Sequence, residues 1–146
     1  MNNAKTRAEG TGVSAMNKDF SLTIVNKNAE STLANKYTYI NKVFSKKTGD
    51  WVCSETLLWQ NATTPVDIVA FAPAQVDKFN GVYADGSIKP ITYSIATDQS
   101  TSSDNNDLLY YYAPGFKPGD KLVDEKLNIQ FNHAFCMIDI NVTLGT

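Results

Sequence analysis

The sequence predicts an all-β chain, a two-sheet β-sandwich of about seven strands. Three observations carry this expectation. Short stretches of alternating apolar and polar residues recur between turn-rich segments, as strands with a buried face require. No stretch beyond about ten residues sustains a 3.6-residue period, so little helix is expected. The last stretch, residues 127–144 (LNIQFNHAFCMIDINVTL), alternates and then changes phase. Leu127, Ile129 and Phe131 are apolar on odd positions, whereas Cys136, Ile138, Ile140, Val142 and Leu144 are apolar on even ones. A one-residue slip sends an apolar set to solvent, so a bulge or a change of sheet is expected at residues 132–134.

In chain order, residues 1–17 (MNNAKTRAEGTGVSAMN) are small and polar without periodicity and read as a flexible leader, ahead of one domain over 18–146. FSLTIVN at 20–26 alternates on Phe20, Leu22 and Ile24 and makes a first strand. Residues 28–36 are polar and can hold a short helical turn. YTYINKVF at 37–44 and DWVCS at 50–54 flank a loop at 45–49 ending in Gly49, the pattern of a β-hairpin. TLLWQ at 56–60 is an apolar patch that can finish that ribbon.

VDIVAFA at 66–72 is apolar on both phases, which predicts a central strand covered on both faces. Pro73 cannot donate to a ladder and should end it. Ile91, Tyr93 and Ile95 alternate in a further strand, and residues 97–107 form a polar tract. LLYYYA at 108–113 is the next strand, with Pro114-Gly115 and Pro118-Gly119 as punctuation after it. The expected core is Phe20, Leu22, Ile24, Ile68, Phe71, Ile129, Phe131, Ile138 and Ile140.

The 146 residues suit one domain with a core of its own. A net charge of −2, from 15 acids against 13 bases with no basic block, argues against nucleic acid, since Lys46-Lys47 is the only tight basic pair. No apolar run approaches the ~20 residues that span a bilayer. Residues 1–7 lack the apolar centre of a signal peptide. Two cysteines are too few to read as a disulfide framework. Cys136 falls on the apolar phase of its stretch and reads as a buried free thiol, the alternative being a Cys53–Cys136 bridge.

Catalysis finds little support. His133 is the single histidine, and no Gly-x-Ser-x-Gly or Cys/His spacing accompanies it. It stands where the strand changes phase, so a structural ring bonding to a bulged backbone is expected there. No spacing suits zinc, and the acids Asp98, Asp104 and Asp107 do not follow the alternation of a calcium loop. No metal and no cofactor is expected, and the chain does not read as an enzyme. Trp51, Trp59 and Tyr111 are candidate exposed aromatics for stacking on a sugar.

TRAEG at 6–10, VDIVAFAP at 66–73, DQSTSSDNNDLLYYYA at 98–113 and FNHAFCMIDINV at 131–142 resemble, in order and spacing, the fimbrillin-like proteins. These include the type V pilins and related surface lipoproteins of Gram-negative anaerobes. The resemblance covers residues 6–144 and implies a transthyretin-like or immunoglobulin-like sandwich, here the N-terminal one of two tandem domains. It implies a fimbrial subunit at the cell surface that contacts other pilin subunits through a donor strand and contributes to adhesion to host or bacterial surface ligands. The resemblance implies membrane attachment only through a lipid anchor whose cysteine is absent from this sequence, since Cys53 and Cys136 are both internal. It also implies proteolytic removal of an N-terminal segment, for which the Arg7–Ala8 bond in the polar leader is the candidate. The alternative is a surface lipoprotein domain that binds glycans through exposed aromatics.

Overall fold

The computed structural model describes residues 18–74, 89 and 108–134. Six antiparallel strands form one sheet in the order β3-β2-β1-β4-β5-β6. They are β1 (Phe20–Asn26), β2 (Tyr39–Lys47), β3 (Asp50–Cys53), β4 (Val66–Ala72), β5 (Leu109–Phe116) and β6 (Asn132–His133). Among the described residues helix is confined to two short pieces, α1 (Ser31–Lys36) and α2 (Pro118–Lys121). The chain is therefore all-β, as expected, while the described strands make one sheet rather than the two of a sandwich.

The central pair is β1 and β4, registered Leu22 to Ala70, Ile24 to Ile68 and Asn26 to Val66. Cross-strand partners share a face. One face therefore carries Phe20, Leu22, Ile24, Val66, Ile68, Ala70 and Ala72, which with Phe116 make the buried core cluster. Every residue of β1 is buried, including Ser21, Thr23 and Val25 on the opposite face. The central position expected for 66–72 holds, with pairing on both sides of β4, and burial of Val69 as well as Ile68 and Ala70 shows cover on both faces.

Two bulges bend the sheet where side chains replace ladder partners. Between Leu22 and Ile24 the β1–β2 register shifts, Asn41 takes φ 54°, and its N–H donates to the buried Thr23 hydroxyl at 2.9 Å. Between Val66 and Ile68 the β4–β5 register shifts opposite Pro114-Gly115. Here Gly115 has φ 63°, a conformation that costs glycine little, and its N–H donates to Asp67 Oδ1 at 2.9 Å. Strand β5 thus runs on to Phe116, past the stop expected at Ala113. Proline loses only a donor, and at a bulge that donor is not required.

The hairpin expected between 37–44 and 50–54 is β2–β3, with a tighter turn than the loop at 45–49. Lys47 pairs with Asp50, and Thr48 and Gly49 turn the chain with φ 48° and 96°. Two positive φ values give the turn whose twist matches the strands it joins. The short helix expected in 28–36 is α1. Residues 56–60 join no strand and so do not extend the ribbon.

Residues 127–131 belong to no ladder either, and β6 pairs only Leu109 with His133 and Tyr110 with Asn132. The long strand expected from Leu127 is thus corrected. Its odd-phase side chains do turn inward, with Leu127, Ile129 and Phe131 half-buried against the core. They do so from a segment lying across the sheet instead of within it. His133 is half-buried in β6, continuing the odd phase, so no phase change occurs by Ala134. Of the remaining core set, Phe71 is half-buried on the face opposite the cluster, paired with Ser21. Ile138, Ile140, Cys136, the strand at 91–95, the tract at 97–107 and the leader 1–17 lie outside the described residues.

Candidate functional site

On the core face of the sheet the described residues line an apolar hollow. Phe20, Leu22 and Ile24 of β1, Phe44 of β2 and Trp51 of β3 form the floor. Residues 57–59 make one wall and residues 126–131 the other, enclosing a cavity of about 520 Å³. The lining is apolar apart from Asp50, Lys126 and Asn128. Such a surface binds by area and shape and offers no convergent polar groups to orient a reacting substrate.

Aromatic packing holds the floor at its β3 end. The Phe20 ring stacks on Phe44 at 5.0 Å and meets Trp51 edge-on at 5.0 Å. Phe131, from the far wall, stands edge-on to the same ring at 5.6 Å. Offset and edge contacts at these separations add to the area term of burial. Lys46 lies 5.9 Å from the Trp51 ring on the adjoining strand. Trp59 stacks on Phe116 at 5.9 Å, which ties the first wall to the end of β5.

The first wall is a strap rather than a strand. Residues 57–59 alternate, with Leu57 and Trp59 inward and Leu58 60% exposed. Side chains from the sheet pin the strap. The Tyr39 hydroxyl accepts from Leu58 N–H at 3.1 Å and lies 3.2 Å from Leu58 C=O, to which it donates. Asn26 Nδ2 donates to Gln60 Oε1 at 3.1 Å, and Lys42 reaches both Glu55 carboxylate oxygens at 2.7 Å.

The aromatics chosen from sequence as exposed sugar platforms do not stand free. Trp51, Trp59 and Tyr111 are each half-buried and packed against the core. Alternation on β5 places Tyr111 on the core face opposite Ala70, and burial pushes its phenol pKa above the ordinary tyrosine value. Among the described residues the exposed tyrosines are Tyr110 and Tyr112, on the other face. Cys53 carries a free, half-buried thiol. Among the described residues no group of His, Cys, Asp and Glu could hold a metal, and no helix is long and apolar enough to cross a membrane. Arg7 and Ala8 lie outside the described residues.

Sequence reasoning missed Tyr39 and the strap. The one available signal was the short apolar run Leu57-Leu58-Trp59, which also suits a strand.

Residues 6–146 match the family model described as fimbrillin-like. The chain belongs to the fimbrillin-like family. That is a family of fimbrial subunits, components of surface appendages with a structural and not an enzymatic role, and it assembles with other fimbrial subunits. No curated protein and no solved structure matches this chain.

Proposed function

We propose that this fimbrillin-like chain is a structural subunit of a fimbria at the outer-membrane surface, joined to its neighbour by a strand received in the groove. The carrying observation is the pair of extended segments, the strap and residues 127–131, that lie over the sheet with an apolar gap between them. Residues 127–131 enter no ladder, so their backbone can pair with an incoming strand. Alternate side chains of that strand would point onto Leu22, Ile24 and Phe44, and the others outward. The occupant is a segment of another fimbrial subunit, because assembly with such subunits is the property of the family.

Arg-specific cleavage at Arg7–Ala8 is the proposed processing step. It would act on a polar, small-residue segment, where extended backbone suits a protease. Attachment through a lipid anchor and adhesion to host or bacterial surfaces complete the reading.

Leu127→Arg tests the groove by placing a charge in its lining. The variant should retain the β spectrum of the wild type and fail to enter fimbriae, read as loss of the high-mass ladder on unboiled gels. Incorporation at the wild-type level would overturn the proposal. A second variant, Leu57→Asp on the opposite wall, should behave in the same way.

A further inference from the structure

The strap that walls the groove is held in an unusual way for an extended segment. The backbone hydrogen bonds described for it both go to one side-chain oxygen, the Tyr39 hydroxyl. Tyr39 lies on the core face of β2, opposite Ile24, and its ring packs against the core cluster. The ring thus acts as a pillar, with its base in the sheet and its hydroxyl under Leu58. Further ties among the described residues, Asn26 to Gln60 and Lys42 to Glu55, grip the strap by side chains nearer its two ends, beside the Trp59–Phe116 stack. The Glu55 side chain is 56% exposed, so its ion pair is screened by water and holds weakly.

We propose that Tyr39 is the latch of a movable wall: its hydroxyl holds residues 56–60 over the sheet, and release of that latch widens the groove for an incoming strand. The inference rests on the reading of the groove as a strand acceptor and adds how entry is controlled. Latch and wall are cheap to separate, because water can replace both hydrogen bonds once Leu58 lifts. Leu57 and Trp59 supply the return force, since lifting the strap exposes their inward faces to water. A strand that fills the gap would be clamped when the latch closes again. Tyr39 is accordingly a positioning residue, acting on the occupant only through the strap.

Tyr39→Phe keeps the pillar and removes only the hydroxyl. The test uses the full chain, with amide hydrogen exchange at Leu58 and the binding kinetics of a probe peptide alternating threonine and isoleucine with terminal lysines. Loss of the latch should speed exchange at Leu58 about tenfold, the factor of one net hydrogen bond, with β1 and β4 amides unchanged. The peptide should associate and dissociate faster with the variant. Unchanged exchange at Leu58 would overturn the latch. Faster exchange with unchanged peptide kinetics would overturn its control of entry and leave Tyr39 a structural pin. A peptide that binds neither protein, with exchange at Leu58 still faster, would fail the strand reading of the groove and the gate with it, while the pin itself stands.

Discussion

The backbone N–H of Gly115 donates to Asp67 Oδ1 at 2.9 Å, while Asp67 Oδ2 sits 3.2 Å from Lys27 Nζ. One carboxylate therefore closes the bulge between β4 and β5 and links it to the residue after β1. Through that bulge β5 reaches Phe116, whose ring supports Trp59 and so one wall of the groove.

Asp67→Ala removes the acceptor and leaves the bulge open to water. The expected cost is about 1 kcal/mol, since Gly115 is exposed and its N–H can be solvated. Asp67→Asn, which keeps an acceptor oxygen without the charge, should recover part of it. Urea denaturation of the three proteins checks the order wild type, Asn, Ala.

Ile68 is fully buried at the centre of β4, opposite Ile24. Ile68→Ala should destabilise the chain by about 2–5 kcal/mol through lost transfer energy and a cavity that a sheet centre cannot collapse. The same substitution at Val123, which is 62% exposed, should change the denaturation midpoint little.

Gly119 donates its N–H to Ala62 C=O at 2.8 Å, and a Cβ there would stand 3.0 Å from that oxygen. Gly119→Ala must push α2 away from residue 62, for about 1–3 kcal/mol of strain. Gly49→Ala meets no neighbouring atom but sits at φ 96°, so its cost comes from backbone conformation alone. Thermal denaturation of both variants should show losses at each site, with faster amide exchange around residue 62 in the first only.

Burial holds the Tyr111 phenol above its ordinary pKa, so the folded chain keeps that proton where the unfolded chain releases it. Below the unfolded value of about 10 both states are protonated and the residue adds no pH dependence. Stability should then fall as pH rises through about 10, because ionisation favours the unfolded chain. Denaturation midpoints of wild type and Tyr111→Phe across that window check this, with a shallower alkaline loss in the variant.

The strands most legible in the sequence were those whose identity rests on local pattern. β1 alternates on Phe20, Leu22 and Ile24, and β4 is apolar on both phases because it lies between two strands with both faces covered. The passage of β5 through Pro114-Gly115 was not legible, because its acceptor, Asp67, lies 48 residues away in sequence. Leu127, Ile129 and Phe131 gave the right facing and the wrong element, since period two reports which side chains turn inward and not whether a backbone has a ladder partner. The groove depends on the sheet order, which brings residues 57–59 and 126–131 over β1. Trp51, Trp59 and Tyr111 looked free for ligands because aromatic identity alone does not separate a core packing role from a surface one.

The central claim is that a strand from a neighbouring subunit fills the gap between the strap and residues 127–131. Electron cryo-microscopy of assembled fimbriae containing this chain tests it most directly. The account predicts an extended segment of another subunit over Phe20, Leu22 and Ile24, flanked by Leu57 on one side and Ile129 on the other. Fimbriae in which that groove is empty, with the subunits joined through other surfaces, would contradict it.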